Sequence, residues 1–196
     1  HADHAGGLKQ LLDSGVRIGR ILLPKGAPES ASRASALLLE EAASAGIPVM
    51  EVAAGDRFAS GRVSLEVLWP GADGVYPGTD PNDTSLVMLW DLGGTSMLTT
   101  GDVGAGYAKY AYRPAQVMKI PHHGSKAEAV PENLRLVSPG LALISASSSR
   151  PDRYSACAEI LRGMGVSARV TGEAGALTLR VLDAGFELTA HAESVY

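Results

Sequence analysis

Cysteine is nearly absent: Cys157 stands alone among 196 residues, so no intrachain disulfide can form and the redox compartment is unreadable. Aromatic side chains make up 5%, which leaves the core to aliphatic residues. Met118 and Ile120 are core candidates, and Cys157 reads as a small buried apolar residue. No apolar run approaches the roughly 18 residues of a membrane-spanning helix, and no signal-peptide pattern is seen. The chain does not begin with Met, and we expect it to be part of something longer. Residues 71–108 lack Lys and Arg entirely and carry Asp73, Asp80, Asp83, Asp91 and Asp102. Residues 109–162 reverse the balance, with eight basic side chains against four acidic ones. A net charge of −4 excludes a uniformly basic nucleic-acid surface. An acidic, cation-binding stretch beside a basic one suits an anionic substrate held at a metal.

What is present is an ordinary globular composition, 45% apolar and 19% charged, long enough for one domain over 1–196. Leu8, Leu11 and Leu12 repeat at helical spacing after an opening loop, and Gly15 can stop that helix. Strand signals fall at 18–23, 49–52, 62–68, 85–92, 95–100, 116–121, 141–146 and 167–171. Helices are expected at 32–45, 104–112, 130–137 and 153–163. Residues 69–83 read as a turn-rich surface loop. Gly93-Gly94 joins two strands as a hairpin, and 175–181 with 186–191 form a closing hairpin. The order of elements predicts an α/β layered fold with a substantial sheet. Trp69 and Trp90 read as packing residues, and His191 as a surface residue.

Three stretches place imidazole or carboxylate groups at a helix start or just past a strand: His1, Asp3 and His4; Asp102 after MLTTG; and His122-His123 after VMKIP. Imidazole nitrogen and carboxylate oxygen both suit zinc or a similar divalent ion, and loops on a rigid sheet are where such sites are built. A His-rich start can be a tag remnant, but the later stretches supply the partners a metal site needs.

HADHAGGL resembles the second half of the HxHxDH signature of the metallo-β-lactamase superfamily. NDTSLVMLW, SMLTTGD and VMKIPHHGS are similar to the metallo-β-lactamase-like domain of ComEC-type competence DNA-uptake proteins. The resemblance implies an αββα sandwich, N-terminally truncated, with the first strands and first histidine of the signature absent; exposed apolar surface and poor solubility would follow. It implies that His1, Asp3 and His4 are metal ligands, that Asp102 bridges two metals, and that one of His122 and His123 is the last histidine ligand. Ser85 stands where many members carry another histidine. Ligand counting gives one position Asp3, His4, Asp102 and a histidine from the 122–123 pair, and leaves the other short.

The function implied is a metal-dependent hydrolase holding one or two Zn or Mn ions. It would be a phosphodiesterase or nuclease in which metal-bound hydroxide attacks phosphorus, with Asp3 and Asp102 as catalytic carboxylates. Its substrate would be DNA, single-stranded, at the extracytoplasmic face of a bacterial membrane protein. Membrane contact would come only through parts of a longer chain. The family commonly carries an NRYGHP-like segment where this chain has SSSRPDRYSACAEIL, without the histidine. Ser85, Ser125, Arg150, Arg153 and Tyr154 are the candidates for substrate contact; Ser125 can equally cap a helix. The alternatives are a hydrolase of small esters or lactones, and a degenerate domain that keeps the fold without catalysis.

Overall fold

The computed structural model describes residues 2–27, 33–76 and 78–192. Its spine is a seven-stranded sheet. In chain order the elements are α1 (Ala2–Ala5), α2 (Leu8–Asp13), β1 (Ile21–Pro24), α3 (Arg33–Ser44), β2 (Val49–Val52), β3 (Arg57–Ser60), β4 (Val63–Trp69), β5 (Val87–Asp91) and β6 (Ser96–Thr99). They continue with α4 (Ala108–Ala111), β7 (Val117–Lys119), α5 (Pro131–Val137), β8 (Leu141–Ile144), α6 (Ser155–Gly163), β9 (Ser167–Val170), α7 (Thr171–Ala174), β10 (Ala176–Leu182) and β11 (Gly185–His191).

Strands β3 to β9 lie in chain order across the sheet. The first half, β3 to β6, is an antiparallel meander. From β6 onward the strands run parallel, joined by helical crossovers. That change has a cause in the connections. Leu92-Gly93-Gly94-Thr95 is a tight turn, with Gly93 and Gly94 at positive φ, and it returns the chain antiparallel. The stretches after β6, β7 and β8 are long enough to cross over and re-enter in the same direction. Parallel strands are covered on both faces, and Val117 and Met118 of β7 are accordingly both fully buried.

One core cluster holds the parallel half together. Leu98, Met118, Ile120 and Ile144 from the sheet meet Ala108 and Ala111 of α4, Leu134 and Val137 of α5, and Cys157 and Leu161 of α6. Trp69 and Trp90 pack as expected. The Trp69 indole donates to the Asp83 carbonyl and its ring lies 4.6 Å from that of Tyr107; the Trp90 indole donates to Thr99 Oγ1. A separate β1–α3–β2 unit pairs Ile21 with Val49 in parallel, and β10 and β11 form the closing hairpin.

The structure departs from the sequence reading in three places. The opening loop contains a helical turn, α1. Strand β3, paired with β4 from Arg57 to Ser60, escapes detection because only Phe58 of its four residues is partly buried. Helix α7 is a single turn without a hydrophobic stripe.

Candidate metal centre

In open sheets ligands gather beyond the carboxyl ends of parallel strands, and here the chemistry collects where β6, β7 and β8 end. After β6 the chain turns at Gly101 (φ 54°) and delivers Asp102, the one charged side chain buried among the described residues, at 4% exposure. Its backbone N–H donates to Ser85 Oγ at 2.8 Å. Ser85, read as the replacement of a histidine, thus fixes the Asp102 backbone.

After β7, His122 (φ 48°) and His123 (φ 55°) both take left-handed backbone conformations, which cost a non-glycine residue about 1 kcal/mol or more each. The turn is braced from outside. His122 N–H donates to the Gly101 carbonyl, and a Cβ at Gly124 would lie 3.0 Å from both Ile144 Cγ2 and Tyr154 Cβ. Its effect is to split the two imidazoles, whose centroids lie 6.4 Å apart at 68°. His123 faces Asp102, with Nε2 3.7 Å from Oδ2. His122 instead faces Glu128, with Nδ1 3.4 Å from Oε1.

The remaining members come from α1, almost a hundred residues earlier. His4 Nε2 lies 2.9 Å from Asp102 Oδ2, and Asp3 Oδ2 lies 3.3 Å from His123 Nε2. Donor atoms of Asp3, His4 and His123 all lie within 4.8 Å of one another. Slight burial pushes the Asp3 carboxyl up, but its own backbone N–H together with His4 and His123 holds it below the usual value. Burial pulls the Lys119 ammonium below the ordinary lysine range, opposed by Asp102 and Asp3.

A test for a cation comes from proton positions. His123 Nδ1 lies 2.8 Å from the Ser145 carbonyl, which can only accept, so Nδ1 carries the proton. In a neutral ring Nε2 is then a bare lone pair. It is shut off from solvent and has no hydrogen-bond partner, yet it faces carboxylate oxygens of Asp3 and Asp102. Either a metal ion among these groups or a proton on Nε2 reconciles them. A backbone carbonyl orienting the other ring nitrogen is the usual outer support of a metal-binding histidine. The residues present therefore fit a divalent ion held by Asp3, His4 and His123, with Asp102 against both imidazoles.

Other candidates stand elsewhere. His1 lies outside the described residues. Ser125 Oγ accepts from the Ala127 N–H at 3.3 Å within a turn and caps no helix, since α5 starts after Val130 without a side-chain cap. Arg150 is bridged to Asp152 in an exposed turn, beside an exposed Arg153. Tyr154 is buried, its hydroxyl donating to Glu173 at 3.0 Å, and its Cα and Cβ lie behind Gly124. Sequence reasoning missed Lys119 and Glu128. Lys119 carries a usable signal, since it interrupts the apolar run VMKI between two core residues; Glu128 carries none.

No protein-family model matches the chain. Over 160 residues it is 30% identical to ComE operon protein 3 of Bacillus subtilis (strain 168), a match covering 78% of this chain and 19% of that protein. Among solved structures it is similar to CmlA, a diiron β-hydroxylase from Streptomyces venezuelae, with TM-score 0.54 and 16% identity, covering 86% of this chain and 41% of that one. It is also similar to a protein from Parabacteroides distasonis ATCC 8503 named a metal-dependent hydrolase, with TM-score 0.50 and 12% identity, covering 80% and 77%. These structural likenesses concern the fold. The chain has a metallo-β-lactamase-like fold and is similar in sequence to ComE operon protein 3, spanning about a fifth of that protein's length.

Proposed function

We propose that this chain is a metal-dependent phosphodiesterase domain, a nuclease acting on single-stranded DNA within a ComEC-like uptake protein. The observation that carries the metal-dependent part is His123 Nε2, buried without a hydrogen-bond partner and facing the Asp3 and Asp102 carboxylates. The sequence relation to ComE operon protein 3 supports the uptake setting, and with it an extracytoplasmic position on a bacterial membrane protein. No helix among the described residues is long and apolar enough to cross a membrane.

Asp3, His4, Asp102 and His123 would hold the ion; a bound Zn²⁺ or Mn²⁺ supplies Lewis acidity and lowers the pKa of water. Asp102, buried and fixed through Ser85, holds the shared anionic corner against which the imidazoles are oriented. His123 keeps its proton on Nδ1, toward Ser145, so that Nε2 stays available. The Asp3 side chain is 59% exposed; it is the carboxylate placed to orient a water and take its proton.

The test is incubation of the full chain with single- and double-stranded DNA and Mn²⁺ or Zn²⁺, beside Asp102→Ala. Metal-dependent cleavage lost in that variant supports the reading, and no cleavage above the variant under either metal overturns it. One observation favours a second reading, a domain that keeps the fold without catalysis. Tyr154 is buried with its hydroxyl on Glu173, so it is not free for substrate, and Arg150 is engaged by Asp152 in a surface ion pair. Metal bound without any DNA hydrolysis would select that reading.

A further inference from the structure

The two carboxylate oxygens of Asp102 have different company. Both imidazoles of the cluster lie toward Oδ2, His4 Nε2 at 2.9 Å and His123 Nε2 at 3.7 Å. Oδ1 is closed to solvent and makes no hydrogen bond. The charge near it is the Lys119 ammonium, at 3.8 Å. Lys119 is tied to this loop twice. Its Nζ donates to the Gly101 carbonyl at 3.0 Å, and its own carbonyl accepts from Thr100 Oγ1 at 2.8 Å. Its side chain is 21% exposed, so the ammonium is held at the wall of the site.

We propose that Lys119 stands in for a second metal ion: the centre holds one divalent ion on the Oδ2 side, and the ammonium supplies the positive charge on the Oδ1 side. This rests on the metal-binding reading above. A buried carboxylate needs its charge matched on both oxygens, and a tethered ammonium does this without further ligands. A second dication approaching Oδ1 meets a like charge already in place, where screening by water is weak. Among the described residues, Asp3, His4 and His123 form the one group of three or more His, Cys, Asp or Glu side chains close enough to share an ion, and Ser85 spends its hydroxyl on the Asp102 N–H. Lys119 is thus a positioning residue, fixing the number of ions and the orientation of Asp102.

The test is Mn²⁺ titration of the full chain, read as bound ions per chain and by electron paramagnetic resonance. The expected wild-type result is one ion with an uncoupled six-line spectrum, retained in Lys119→Arg. Lys119→Gln should bind the ion about tenfold tighter, one opposing charge being removed, or admit a second, spin-coupled ion. Two coupled ions in the wild type overturn this proposal and leave the metal-binding reading intact; so does Lys119→Gln that binds no tighter and takes no second ion. If Lys119→Gln does not fold, the wild-type and Lys119→Arg stoichiometries decide. A wild type that binds no ion overturns both readings together.

Discussion

Adding one methyl group at Gly101 should damage both stability and metal binding, through Ser85. A Cβ built at Gly101 lies 2.5 Å from both Cβ and Oγ of Ser85, well inside contact distance, and the residue sits at φ 54°. The left-handed backbone costs an alanine about 1 kcal/mol, and forcing the contact apart costs about 1–3 kcal/mol. We therefore expect Gly101→Ala to lose about 2–4 kcal/mol in urea unfolding. Because Ser85 Oγ holds the Asp102 N–H, Mn²⁺ affinity should fall with it. The mechanism is separable by partner choice. Ser85→Gly removes both colliding atoms but orphans a buried N–H, itself costing about 1–2 kcal/mol. In the double variant the collision is gone, so the pair should be less destabilising than the two single changes combined by about 1–3 kcal/mol. Ser85→Ala keeps the colliding Cβ and should give much less relief. The reasoning is refuted if Gly101→Ala stays within about 0.5 kcal/mol of wild type, or if Ser85→Ala relieves it as fully as Ser85→Gly.

The two adjacent histidines should separate in a Mn²⁺ titration: His123→Ala weakens binding by at least about 100-fold, whereas His122→Ala, whose ring faces Glu128, stays within about threefold; equal losses would contradict the split. Tyr154→Phe loses only the hydroxyl donated to Glu173 and should leave metal affinity unchanged. Gly124→Ala, whose Cβ would lie 3.0 Å from both Ile144 Cγ2 and Tyr154 Cβ, should disturb the turn and weaken affinity about tenfold, as calorimetry would show. Burial pushes the Cys157 thiol up to about 11 from an ordinary 9.0. A folded value above the unfolded one means the stabilisation is whole below pH 9.0, declines as the unfolded thiol ionises, and is gone above about 11. Its size is about 2–3 kcal/mol, and Cys157→Ala should flatten that part of the stability–pH curve. A slope unchanged by the substitution would assign the alkaline loss elsewhere, with the Tyr112 hydroxyl, also pushed up by burial, the first place to look.

Strands β4 to β9 were legible because their residues carry either alternation or dense apolar runs. The helices crossing between them show apolar residues at helical spacing. β3 was not, since an exposed edge strand needs neither signal. In the site, Asp102 and the histidine pair follow strands that the pattern marks, whereas Asp3 and His4 were singled out by the HADHAGGL motif although the turn α1 that holds them reads as a loop. Which histidine faces the cluster was not legible. Both rings leave consecutive residues in left-handed conformations, so strand alternation does not extend to them, and the answer depends on where Ser145 and Glu128 lie. The support given by Ser85 and the closeness of Lys119 to Asp102 depend on packing between neighbouring strands, which sequence spacing does not encode.

The distance along the chain between His4 and Asp102, 98 positions, makes any bound ion a cross-link as well as a reagent. Helix α2, which follows α1, fully buries none of its residues, so apolar packing anchors this end of the molecule only lightly. An ion gripped by α1 and by the β6 and β7 loops closes a ring of about a hundred residues. In chain-entropy terms such a ring is comparable to a disulfide worth about 4–5 kcal/mol. Unlike a disulfide, it is undone by a chelator. Loss of the ion should therefore free the N-terminal turn before it disturbs the sheet, and hydrogen exchange confined to residues 2–13 would mark that release.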